Sequence, residues 1–543
     1  MKNQYWRLTI RVAAVVAAVM CSGMWMPEAV RAQERVGEVA FENSGATGGQ
    51  RDFLHGLAQL HNFEFEFAAE DFQRAEKSDP GFAMAYWGEA MTFNHPLWAE
   101  QDADAGRAAL KKLGATPEER IARAKTEREK AYLQAVEALY GEGTKFERDS
   151  KYADAMKLVH EKYPADIDGT CFYALALLGT AHNGRDIPTY MRAAGLMEDI
   201  FYAHPNHPGA AHYLIHSFDD PVHAPLGLPA ARAYSKIAPD AGHAQHMTSH
   251  IFLALGMWDD VIRANVNATN VVNAQREAAG KPTIFCGHYN NWLAYAYLQT
   301  GRFAGAKQLT AGCRKQAENA PSSEHQHRGG GAAGSFVEMR AQYVIGAKEW
   351  SGEAVEWNAP GDLSSEEEFE QSYVTAYAAA MRGDDAAAKG QIAKMEEIAP
   401  KLPTEFEKAG YGHEEWTKIV PEIEAAQIHV LQLANERKLE EAIELAKKTA
   451  KQEEALPYAF GPPVVPKPSL ELLGELQMKG GHAAEARGTF VASLARTPGR
   501  TQSLEGLLAA QVATGDKDGA AQTSERLKEN RKQADGGTMA ARE

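Results

Sequence analysis

The sequence predicts an all-α protein built as a superhelix of antiparallel helix pairs, an α-solenoid, and three observations carry that reading. A turn mark, Gly followed five residues later by a small residue, recurs along the chain. Apolar and small residues return at fixed places in a 34-residue frame. No segment of strand-like alternation competes with the helical spacing.

The turn mark appears as Gly301/Ala306, Gly383/Ala388, Gly481/Ala486 and Gly515/Ala520, with Gly256/Val261 as a looser copy. The last two strict copies lie 34 residues apart. Glycine ends one helix at little conformational cost, and the small residue lets the next helix pack closely against it. Each pair leaves an apolar face that only the following pair can cover. A frame begun at 467 places Leu470, Leu473, Gly474, Ala486, Phe490 and Pro498 at positions 4, 7, 8, 20, 24 and 32. A frame begun at 49 places Gly56, Ala68, Phe72 and Pro80 at the last four of those positions. This is the tetratricopeptide repeat (TPR) pattern, so the expected fold is a TPR-type helix-pair superhelix.

Taken in order, residues 1–32 read as a signal peptide. Lys2, Arg7 and Arg11 precede a short apolar core, Val12 to Met20, and Val30-Arg31-Ala32 offers a cleavage site before Gln33. The expectation is a periplasmic or secreted protein. Met20 is too bulky for the residue before a lipidated cysteine, which argues against Cys21 as a lipid anchor. Residues 33–120 read as an N-terminal TPR pair with an insertion over 100–120, and 121–335 as a central His-rich TPR-like region ending in a flexible Gly-rich stretch, 320–335. Residues 336–456 read as further helical repeats. Residues 457–535 form a C-terminal TPR pair entered through the stiff segment Pro457 to Pro468, and 536–543 a disordered tail. The longest later apolar run, Thr170 to Leu178, is too short to span a bilayer. A formal charge of −16 lacks the basic stripe that nucleic-acid phosphates require, so no nucleic-acid partner is expected.

The histidines are crowded. Of 19, eight (204, 207, 212, 216, 223, 243, 246 and 250) fall within residues 204–250, where even spacing would place fewer than two. His212 and His216 are four apart on one expected helix, and His246 and His250 on another, so each pair shares a helix face and can hold one ion. Neither pair encloses a glutamate (HYLIH, HMTSH), so the metalloprotease motif is absent. In TPR folds the first helix of each repeat lines the concave groove at positions 2, 5, 9, 12 and 13. A repeat begun at 242 places His243, His246 and His250 at positions 2, 5 and 9, and one begun at 287 places His288, Asn291 and Tyr295 there. The expected metal ligands are therefore His212, His216, His246 and His250, with His243 or His288 beside them, in a groove also lined by Asn291 and Tyr295. His61 and His95, 34 residues apart at position 13, join the groove if the superhelix curls back. Imidazole donors suit Zn, Cu, Fe and Ni alike. The same histidines can instead hydrogen-bond a peptide, or one another and Asp219, Asp220 and Tyr213.

Cys286 opens one expected helix and Cys313 closes its antiparallel partner, which favours a disulfide over a nucleophilic role for Cys286 beside His288. Cys171 is then left as a buried thiol. Gly329, Gly331 and Gly334 match GxGxxG, but no strand precedes them, so no nucleotide cofactor is expected. His325 and His327 read as a solvated loop.

The stretches HNFEFEFAAEDFQRAEKSDPGFAMAYWGEAMTFNHPLW, HPGAAHYLIHSFDDP, AGHAQHMTSHIFLALGMWDD and YAFGPPVVPKPSLELLGEL resemble a group of exported bacterial TPR proteins. The resemblance implies the superhelix and export, and carries no activity. Three functions follow for test: a groove that receives a peptide, protein or small molecule beside a transition-metal site, a plain TPR scaffold of the cell envelope without metal, or a metal-dependent enzyme using the His cluster.

Overall fold

The computed structural model describes residues 34–319, 331–361, 363–408 and 415–536. The signal segment 1–32, most of the Gly-rich stretch and nearly all of the tail lie outside those residues. From Val36 onward the chain is an all-α TPR-type superhelix of antiparallel helix pairs. Two short antiparallel segments, Asn94–His95 and Glu100–Gln101, make the one sheet among the described residues.

The helix boundaries follow from the local sequence. Capping boxes open Glu127–Leu139, Lys145–Lys162 and Ser365–Met381, with Thr126, Thr144 and Ser364 each reciprocated by a glutamate three residues on. Each turn-mark glycine sits at positive φ: 69° at Gly256, 74° at Gly301, 73° at Gly383, 80° at Gly481 and 74° at Gly515. In each case the next residue's N–H bonds back into the helix, as Met257 does to the Phe252 carbonyl at 2.8 Å and Arg302 to that of Tyr297 at 2.8 Å. That is the Schellman stop, which only glycine adopts without strain. Val261, Ala306, Ala388 and Ala486, five residues on, are fully buried between helices.

One sequence expectation changes. The 100–120 segment is not a free insertion: Ala103–Leu113 packs back on Ala83–Met91 as the second helix of that pair, and Pro117–Arg123 follows it. The small sheet at 94–101 separates the two helices and breaks the 34-residue frame, so the second helix falls out of register with the repeat pattern.

Both ends of the stack fold back on its middle. Near the start, the Glu38 N–H donates to the Asn206 carbonyl (2.9 Å), and Tyr234 Oη donates to Asn62 Oδ1 (2.8 Å). Near the end, the Thr501 N–H donates to Gln299 Oε1 (2.9 Å) and Trp258 Nε1 donates to the Gly499 carbonyl (3.0 Å). One apolar core runs from Phe41 to Ala296 and a second from Cys286 to Leu476. No helix among the described residues is long and apolar enough to cross a membrane.

Candidate metal centre

Three successive first helices bring the histidines together. Pro208–Phe218 begins with Pro at its first turn and is capped by His207, whose Nδ1 accepts the Ala210 N–H (3.3 Å). Gly242–Ala254 follows one repeat later, and His288–Gln299 one repeat after that. On the first, His212 and His216 place their Nε2 atoms 3.1 Å apart; His243 Nε2, from the second helix, lies 3.3 Å from His212 Nε2. On the second helix, His246 and His250 place their Nε2 atoms 3.2 Å apart. The His288 ring stands 4.6 Å from that of His246. His212, His216 and His243 form one set of ligand atoms all within 4.8 Å of one another, and His246, His250 and His288 a second.

The far nitrogens of three of these rings are held by acceptors. His212 Nδ1 donates to the His61 carbonyl (2.7 Å). His246 Nδ1 donates to Asn265 Oδ1 (2.6 Å), whose orientation is fixed because Asn265 Nδ2 donates to the Val261 carbonyl (2.9 Å). His250 Nδ1 donates to Asp219 Oδ2 (2.5 Å). An imidazole that spends its proton on Nδ1 presents a bare lone pair on Nε2, and outer partners of this kind orient metal-binding histidines. Burial pushes the His212 imidazole down to about 3. Burial first, then the neighbouring imidazoles, hold His216, His243 and His246 well below the ordinary value. Neutral rings are the form that ligates metals.

These side chains do not line an open groove, as the repeat register alone suggested. His212, His216, His243, His246 and His250 are at most 8% exposed, and only His288 stands at the surface. The reason is the fold-back. Phe63 packs its ring 4.3 Å from His212 and 5.5 Å from His243. The Pro-rich connector lays Phe460 6.1 Å from His216 and 6.3 Å from His250. Trp292 closes a third side, 4.4 Å from His250. Phe63 sits at φ 58°, a left-handed conformation that a bulky residue adopts only under surrounding constraint. Gly461 has φ 81° and passes so close to Trp292 that a Cβ there would lie 2.2 Å from the indole.

His61 contributes its carbonyl to this centre and its ring to another group. His61 Nε2 (2.9 Å) and His207 Nε2 (3.3 Å) donate to Asp168 Oδ1, and Tyr213 Oη donates to His61 Nδ1 (2.9 Å). Burial alone raises the Asp168 carboxyl, but the two imidazole donors outweigh it and hold it well below the carboxylate range. His95 stays outside both groups, stacked 4.0 Å from Phe65 with Nε2 on the Thr92 carbonyl (3.1 Å). Tyr295 stands away from the histidines, at the cleft between the Pro-rich connector and the Asp219–Pro221 turn. It is buried, and its hydroxyl accepts from Arg500 Nη1 (3.1 Å), whose Nε lies 2.8 Å from Glu471. Asn291 is buried, and its Oδ1 has no hydrogen-bond partner among the described residues. The Cys286 and Cys313 sulfurs are bonded to each other, and Cys171 is a buried free thiol.

Sequence reasoning did not assign outer-partner roles to Asn265 and Asp219, nor covering roles to Phe63, Trp292 and Phe460. Asp219 in HSFDDP and Phe63 in HNFEF lie within the polar and aromatic phrases that exceed what repeat packing needs, and this was the available signal. Asn265 carries none, since a mid-helix asparagine is common.

No protein-family model matches the chain, and no curated protein matches it. Among solved structures it is similar to the human IFIT1 dimer with m7Gppp-AAAA, at 13% identity over 90% of this chain and 96% of that one, TM-score 0.33. It is similar to yeast Tom70 at 11% identity over 89% of this chain and 85% of that one, TM-score 0.24. The P58(IPK) TPR domain gives 14% identity over 86% of this chain and 99% of that one, TM-score 0.21. Similarities at this level say nothing about function or about the histidine centre.

Proposed function

We propose that this chain is an exported TPR superhelix whose central histidines bind a transition metal, Zn, Cu, Fe or Ni. One observation carries the reading. His212, His246 and His250 each commit Nδ1 to a carbonyl, an amide oxygen or a carboxylate, and their Nε2 atoms meet other imidazole Nε2 atoms at 3.1–3.3 Å. Two nitrogens bound at 2.0–2.1 Å to one tetrahedral ion stand about 3.3–3.4 Å apart. At His246–His250, where both rings commit Nδ1, lone pairs facing at 3.2 Å repel, and a cation between them reverses the sign of the interaction.

A second reading has its own support. The 2.5 Å contact of His250 with Asp219 also suits a plain hydrogen-bond network that fixes the ring in place, a scaffold without metal. Elemental analysis of full-length mature protein, purified without a His tag, separates the two. Stoichiometric metal and a melting temperature that falls in chelator support the centre; metal-free protein that melts identically in chelator sinks it.

Ligand binding belongs beside this site. A cleft between the Pro-rich connector and the turn at Asp219–Pro221 is lined by Leu253, Trp258 and Tyr458 and reaches Asp219, the outer partner of His250. An apolar cleft with a few polar groups suits a peptide or small molecule. Export is supported by the N-terminal segment and by the Cys286–Cys313 disulfide, which persists in oxidising compartments. N-terminal sequencing of the exported protein should start at Gln33; a start at Cys21 marks a lipoprotein instead.

A further inference from the structure

We infer that the centre holds two transition-metal ions, one in each histidine trio. The inference rests on the metal reading above and goes beyond it in number and arrangement. His212, His216 and His243 bring three ligand atoms within 4.8 Å of one another, and so do His246, His250 and His288, with no residue shared. The six do not form a single such set among the described residues. One six-coordinate ion with bonds of about 2.1 Å would draw every donor pair within about 4.2 Å, which this arrangement does not offer.

The trios adjoin. The His216 and His250 rings are 5.6 Å apart and those of His243 and His246 6.1 Å. Across that boundary His216, Asp219 and His250 make a third set within 4.8 Å, placing one carboxylate where two cations would repel most. A second observation is independent of the trios. His216 Nδ1 is buried and has no hydrogen-bond partner among the described residues, although buried polar atoms are almost always paired. His216 therefore has an uncommitted nitrogen besides the Nε2 it turns toward His212. Three imidazoles leave a tetrahedral ion one further position, open to water or a small ligand. The donor set is imidazole with a single carboxylate at its edge, which selects borderline first-row ions over magnesium or calcium.

The test uses the full mature chain, stripped with chelator, loaded with zinc(II), freed of unbound metal and assayed by elemental analysis. Wild type should hold two zinc per chain. The His212→Ala/His243→Ala and His246→Ala/His250→Ala variants should each hold one. His288→Ala is a single change at the one exposed member of the six, at a helix start, and so the mildest of the variants. In a calorimetric titration it should weaken one of two binding steps tenfold or more and leave the other unchanged. If a double variant misfolds by circular dichroism, the His288→Ala titration decides alone. One zinc in wild type, or a His288→Ala effect on both steps or neither, overturns the two-ion inference. One zinc leaves the metal reading standing, whereas none overturns both.

Discussion

In the His61–Asp168–His207 group every ring nitrogen meets an atom of the opposite role: a hydroxyl, a backbone N–H or a carboxylate. In the two trios formed by His212, His216, His243, His246, His250 and His288, imidazole nitrogens meet imidazole nitrogens. Both groups are buried apart from His288, both sit on first helices of the stack, and both draw on the same residue type. The difference is closure. The first is a finished hydrogen-bond network that holds the folded-back N-terminal helix to the middle of the stack. The second is held correctly from outside, by Asn265, Asp219 and the His61 carbonyl, and is left open within. Histidine crowding alone therefore does not mark a ligand site; the roles left over after hydrogen bonding do.

The largest effect that sharpens this contrast should come from Asp168→Ala. It removes two hydrogen bonds to a buried carboxylate and should cost about 3–5 kcal/mol in urea unfolding. Zinc stoichiometry should stay unchanged, and loss of metal in this variant would erase the distinction between the groups. Next, zinc at a thousandfold excess over Kd should stabilise wild type by about 4 kcal/mol for each ion bound, through preferential binding to the folded chain. The same addition to the His246→Ala/His250→Ala variant should give a clearly smaller shift.

Asp219→Asn should lower zinc affinity tenfold to a hundredfold, about 1.4–2.7 kcal/mol by titration, because the His250 ring loses its orienting carboxylate. Acid should act on the metal-free protein with a defined sign. His212 has a folded-state value of about 3, below the ordinary 6.5, so the unfolded chain takes up the proton first. Its contribution is present above pH 6.5 and is lost as pH falls from there toward 3, at about 1.4 kcal/mol per pH unit for each such imidazole. His61 adds a loss of the same sign. Asp168 is depressed in the opposite class: its contribution is present above the ordinary carboxylate value and is lost only at more acid pH. Urea midpoints in chelator between pH 7.5 and 5 should therefore fall steadily, and a flat profile would show that these rings are already charged in the fold. The smallest effect belongs to His95→Ala, which removes a half-exposed stack on Phe65. It should cost no more than about 1 kcal/mol and leave zinc stoichiometry intact.

Much of this molecule was legible before folding. The Gly-plus-small turn mark fixed the helix stops because a left-handed stop needs glycine and a close helix contact needs a small side chain, and both demands are local. The phase of His212/His216, His243/His246/His250 and His288 within the repeat named the cluster, because first helices of successive repeats stand side by side. The hidden second helix at Ala103–Leu113 was not legible, since the 94–101 sheet shifts it out of frame.

By itself, then, the sequence determined the helix-pair architecture, the stops at the turn-mark glycines and which histidines share a face. Only the tertiary structure decided that the cluster is buried, because that depends on segments far along the chain, Phe63 and Phe460, closing over helices between them. The same long-range closure bonded the Tyr295 hydroxyl to Arg500, and split two kinds of histidine group by supplying Asp168 to one and leaving His216 Nδ1 without such a partner in the other. Periodicity is a property of neighbours in sequence. Hydrogen-bond closure in a core depends on which distant segments the superhelix brings back.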